Sequence, residues 1–105
     1  MMPQRVYLQE LANAILQTHG VVARHIATVP VRECWQGQVA WEGEVEVFDV
    51  VHSPVATRSY GWGYPSDDDP SRYQFVCVLG IGPVDSPINA VRAAICAHAE
   101  KQKSE

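Results

Sequence analysis

From Val21 to His52 the chain is dense in valine, isoleucine, threonine and tryptophan, residues that favour extended backbone. Arg24–Trp35 reads as one strand, with Pro30 marking an edge or a bulge. Gln36-Gly37-Gln38 reads as a hairpin turn, and Val39–Val51 as a long second strand. Within it Glu44 and Glu46 alternate with Val45 and Val47, so one face is wet and the other dry. Phe48 shares parity with the glutamates and breaks the pattern. A bulge near Asp49, or burial of both faces there, would account for it. Whatever else the chain does, it has to cover this long antiparallel pair.

The cover comes from the two ends. Pro3–Thr18 reads as a helix: Tyr7, Leu8, Leu11, Ala12, Ala14 and Ile15 recur at helical spacing, and Gly20 suits a left-handed cap. A second helix begins after Ser86, a good N-cap, with Pro87 in the first helical position. Ile88, Val91, Ala94 and Ile95 form its apolar stripe, and Lys101 and Lys103 suit its C-terminal dipole. His52-Ser53-Pro54 reads as a turn. Two further strands are expected at Val55–Tyr64 and Arg72–Leu79, around an acidic hairpin loop at residues 65–71. The fold class expected is α+β, in the order α-β-β-β-β-α, with α-β-β-β-α as the alternative. Two helices are too few to cover both faces of a four-stranded sheet. The economical layout is therefore an antiparallel meander with both helices on one face. A chain of 105 residues fits one domain, here 1–105, with residues 103–105 as a frayed tail.

Composition narrows the partners. Apolar residues make up 47% of the chain and charged residues 19%, which is globular rather than disordered. The net charge of −4 and the scattering of Arg5, Arg24, Arg32, Arg58, Arg72 and Arg92 disfavour nucleic acid. No apolar run reaches membrane-spanning length. The start, MMPQRVYLQE, has no apolar leader-like core. Three cysteines, Cys34, Cys77 and Cys96, form no C-x-x-C pair, so a disulfide framework is not expected. Together these readings point to the cytoplasm.

The order helix, strands, helix resembles the double-stranded-RNA-binding domain fold, as does the alanine-rich Ala90-Val91-Arg92-Ala93-Ala94-Ile95 of the closing helix. The basic cluster of that family is replaced by Val84-Asp85-Ser86-Pro87-Ile88-Asn89, so the resemblance implies topology and no RNA-binding residue. Tyr60-Gly61-Trp62, with Val84-Asp85-Ser86-Pro87 and Ala90-Val91-Arg92, is also similar to uncharacterised small bacterial proteins. That likeness implies no activity.

Chemistry-bearing motifs are sparse. Cys34, Cys77, Cys96, His19, His25, His52 and His98 lack zinc-ligand spacing, and Cys96 and His98, two apart on a helix, point in different directions. Asp67–Asp69 lacks the spaced acids of a calcium loop. Gly61-Trp62-Gly63 and Gly80-Ile81-Gly82 do not continue as phosphate-binding motifs. No metal and no cofactor is expected. Asp49, His52 and Ser53, together at a strand end, are the one polar cluster able to support a His-carboxylate pair. Turn chemistry is the plainer account of them.

The third strand carries the main functional expectation. Arg58, Tyr60, Trp62 and Tyr64 share one face; Thr57, Ser59, Gly61 and Gly63 share the other. Either the aromatics pack under the helices, or the small residues do and the aromatics stay open as a partner platform. The second arrangement is the expectation, because Arg58 shares the aromatic face and arginine is rarely buried unpaired. A protein-interaction module follows, binding a protein partner or a second copy through its sheet. A small enzyme or ligand-binding subunit using His52 and Asp49, and a degenerate nucleic-acid-binding domain, are the alternatives.

Overall fold

The computed structural model describes residues 3–53, 56–82 and 84–103, with backbone only for 98–103. Its elements are α1 (Gln4–His19), β1 (Val22–Trp35), β2 (Gln38–Val51), β3 (Arg58–Pro65), β4 (Tyr73–Leu79) and α2 (Pro87–Lys103). The strands form one antiparallel meander in the order β1-β2-β3-β4, as expected of an α+β chain. Val55, Pro54, Pro83 and the last two residues of the tail lie outside the described residues, as do the side chains of His98, Lys101 and Lys103. No described helix is long and apolar enough to cross a membrane.

Local chemistry sets the element ends. Gly20 ends α1 with φ +71°, and its N–H donates to the Leu16 carbonyl at 2.8 Å. The Ser86 hydroxyl accepts from the Asn89 N–H at 3.3 Å, capping α2. Gln36 (φ +52°) and Gly37 (φ +77°) make the two-residue turn between β1 and β2, the two left-handed residues that match the twist of a hairpin.

The layer arrangement differs from the expected one. α1 and α2 pack on opposite faces of the sheet. Leu11 and Ile15 of α1 cluster with Phe48, Phe75 and Cys77. Ala90 and Val91 of α2 cluster with Val31, Val45, Val47, Tyr60 and Trp62. Neither helix covers a whole face. α1 lies over β1, β3 and β4, and α2 over β1, β2 and β4. Two half-covers suffice because β2 sends Val45 and Val47 into one cluster and Phe48 into the other, so Val45 to Phe48 are all buried. Burial of both faces, with no bulge at Asp49, is what places Phe48 among the glutamates.

The same arrangement settles β3, and against the expected exposure. Tyr60 and Trp62 are 4% and 6% exposed, buried under α2. Gly61 and Gly63 face α1, where a Cβ at Gly61 would lie 2.8 Å from Leu11 Cδ1, and one at Gly63 2.9 Å from the Tyr7 ring. Aromatics under one helix and glycines under the other are therefore realised together. Gly61→Ala should destabilise the fold by about 1–3 kcal/mol, because fully buried Leu11 has little room to retreat. Urea unfolding measures this, and a loss below a few tenths would show that α1 does not pack this closely.

The β2–β3 ladder ends at the Glu46–Gly61 pair. Beyond it the Tyr7 hydroxyl accepts the Gly63 N–H at 2.6 Å, satisfying a partly buried strand donor. Burial pushes the Tyr7 phenol up, against the opposing pull of that hydrogen bond. Also beyond it, the distal halves of β1 and β2 continue as a two-stranded ribbon. The Trp41 ring lies across Gly43 to meet Trp62 edge-on at 5.2 Å, tying the ribbon back to the core.

Candidate functional site

The two clusters singled out in the sequence do not assemble into sites. On β3 only the ends of the expected platform reach solvent: Arg58, and Tyr64, whose hydroxyl donates to Gln74 Oε1 at 2.8 Å. Tyr60 and Trp62 between them are core, so no partner touches their rings while α2 is docked. The Asp49 carboxylate is held by Arg58 and, at 3.5 Å, by Arg24. His52 is exposed, with a left-handed backbone at φ +61°, and makes no hydrogen bond to Asp49. Ser53 Oγ accepts the Ala56 N–H at 3.3 Å, which is turn chemistry.

A different His-carboxylate pair is present. Glu46, 4% exposed on the α1 side of the sheet, accepts from His25 Nε2 at 2.9 Å and from the Thr28 hydroxyl. The His25 ring stands edge-on to Phe48 at 5.4 Å. His25 and Thr28 are three residues apart, so a regular strand would put them on opposite faces. Ile26 is the extra residue of a β1 bulge, between the His25–Phe48 and Ala27–Val47 pairs, and it turns both toward Glu46. The pair is a satisfied polar knot under the sheet surface. Among the described residues no three His, Cys, Asp or Glu groups gather as a metal cluster.

The surface feature with room for a ligand lies elsewhere, where the tip of the β1–β2 ribbon passes α2. A groove of about 660 Å³ is lined by Cys34, Trp35, Ala40, Ile95 and Cys96, with Glu33 and Arg92 at its polar end. Arg92 donates to the Glu33 carboxylate, and that guanidinium holds the Glu33 carboxyl below the usual carboxylate range. The pair pins α2 to β1. Trp35 is 70% exposed, and Val39 and Ile95 nearby are also open to solvent. A second β1–β2 irregularity, between Glu33 and Cys34, leaves Ala40 without a partner and reorients the tip. The groove volume falls in the range of ligand and peptide pockets, and its walls are almost wholly apolar.

Sequence reasoning had no grip on this groove. Trp35 and Ile95 are sixty residues apart, and each reads singly as the end of a strand or of an apolar stripe. One signal was available: a tryptophan directly beside a two-residue turn has little core to enter. Compared with known proteins, the chain matches no known protein family, no curated protein and no solved structure.

Proposed function

We propose that the protein is a non-catalytic protein-interaction module that engages its partner through the groove between the ribbon tip and α2. The observation that carries this reading is Trp35, 70% exposed on the rim of an apolar groove of about 660 Å³. Tryptophan and arginine dominate interface hot spots, and an apolar patch with a polar rim is the usual form of a docking surface. Tyr60 and Trp62, the centre of the platform first expected to bind, are buried under α2, which favours the ribbon as the binding surface. Three free cysteines accord with a reducing, cytoplasmic setting. The enzyme reading has lost its Asp49–His52 pair to the arginines. Among the described residues the charged groups lining the groove, Glu33 and Arg92, neutralise each other, which argues against a nucleic-acid backbone as the occupant.

The test is selection of peptides from a random display library on the whole chain. Peptides with apolar anchors should emerge, and Trp35→Ala should weaken them roughly thirtyfold, the loss of a hot spot of about 2 kcal/mol. Peptides that bind Trp35→Ala as tightly as the parent chain would move the binding surface away from the groove.

A further inference from the structure

Resting on that reading of the groove, we propose that its occupant is a second copy of this chain, in a two-fold contact in which Trp35 of each copy enters the groove of the other. A two-fold contact requires one patch that is complementary to itself. Here the projecting ring and the apolar hollow are neighbours on a single patch, because Trp35 stands on the rim of the groove that Ala40, Ile95 and the two thiols line. The hollow is several times the volume of one indole, so it admits the ring without rearranging the fold. Among the described residues the patch carries one acid, Glu33, and one base, Arg92, which neutralise each other, so two copies of it meet without a net charge in a chain whose net charge of −4 otherwise opposes self-contact.

The ribbon gives a second argument. Past the Glu46–Gly61 pair β1 and β2 have no third strand, and a two-stranded ribbon is marginal by itself. α2 supports one side as far as Arg92, but Trp35 and Val39 at the tip remain uncovered. The contact would cover them. Its size sets its strength: an indole buries about 150–250 Å². With Val39 and Ile95 each copy contributes several hundred Å², below the roughly 800 Å² per partner of a standard interface. The dimer is accordingly weak and concentration-dependent.

Sedimentation of the whole chain over a wide concentration range tests this, read together with maleimide labelling of the thiols. The expected mass rises from one copy to two, and Trp35→Ala and Val39→Asp each stay at one copy with unchanged thermal unfolding. Labelling of Cys34 and Cys96, both exposed in the single chain, should slow roughly fivefold at a total chain concentration about ten times the dimer Kd. Cys77 should stay silent throughout, since burial pushes its thiol to about 11. A single copy at every concentration overturns the proposal, as does a dimer that survives both variants with the two thiols still fast. If the chain is monomeric while selected peptides still depend on Trp35, the dimer falls and the groove reading stands.

Discussion

Trp62→Ala is expected to cost about 3–5 kcal/mol of folding stability, the range for removing a buried aromatic ring. Trp62 sits in the middle of β3 at 6% exposure, between the Val91 turn of α2 and the Trp41 ring. Its loss opens a cavity where three elements meet, and the surrounding groups have little freedom to close it. Ala90 and Val91 are fixed by the helix, and Val45 and Val47 by the sheet. The edge-on Trp41–Trp62 contact adds about 0.5–1.5 kcal/mol that is lost with it. That contact is also the tie between ribbon and core. For a chain whose total stability is expected at about 5–15 kcal/mol, the loss leaves a marginal fold. Trp35→Ala is the control: an exposed ring should change stability by no more than about 0.5 kcal/mol. Urea denaturation of the two variants side by side measures the contrast. Equal losses would mean that the two tryptophans have been assigned to the wrong environments.

The elements were legible in the sequence because local rules define them. Gly20, Ser86-Pro87 and the Gln36-Gly37 turn each act within a few residues, and the strand and helix limits fall close to where those residues place them. The faces were not legible. Alternation along β3 separates Tyr60 and Trp62 from Gly61 and Gly63, but it cannot say that a helix waits on each side. Assuming one covered face forced a choice between aromatics and glycines that the molecule does not make. Phe48 was the available clue, since an aromatic in phase with glutamates is what a strand buried on both sides produces. Asp49 illustrates a second kind of loss. Three residues before His52 in sequence, it is paired across the sheet with Arg58 and Arg24, through registers that no local pattern reveals. The groove depends on how a ribbon tip bends past a helix, which the sequence encodes only through the irregularity beside Cys34.

His25→Ala should destabilise the fold by about 3 kcal/mol, and by more than Glu46→Gln does. The asymmetry follows from which group is left behind. Glu46 is 4% exposed, and its carboxylate oxygen accepts from His25 and Thr28. Removing His25 leaves a buried acid with one hydroxyl donor and a gap beside Phe48, and a buried charge stripped of its partner typically costs about 3–5 kcal/mol. The side chain of His25 is 28% exposed, so water enters the gap and brings the cost to the lower end. Glu46→Gln keeps an oxygen for both donors and buries no charge, so its cost should stay near 1 kcal/mol. Replacing both, as His25→Phe with Glu46→Leu, removes the pair and leaves only the partly buried Thr28 hydroxyl without its acceptor, so it should cost less than the two single losses added together. A double-mutant cycle by urea denaturation reads the coupling directly. A His25→Ala cost below that of Glu46→Gln would show that Glu46 does not rely on the imidazole. The Ile26 bulge would then have some other reason to turn His25 inward.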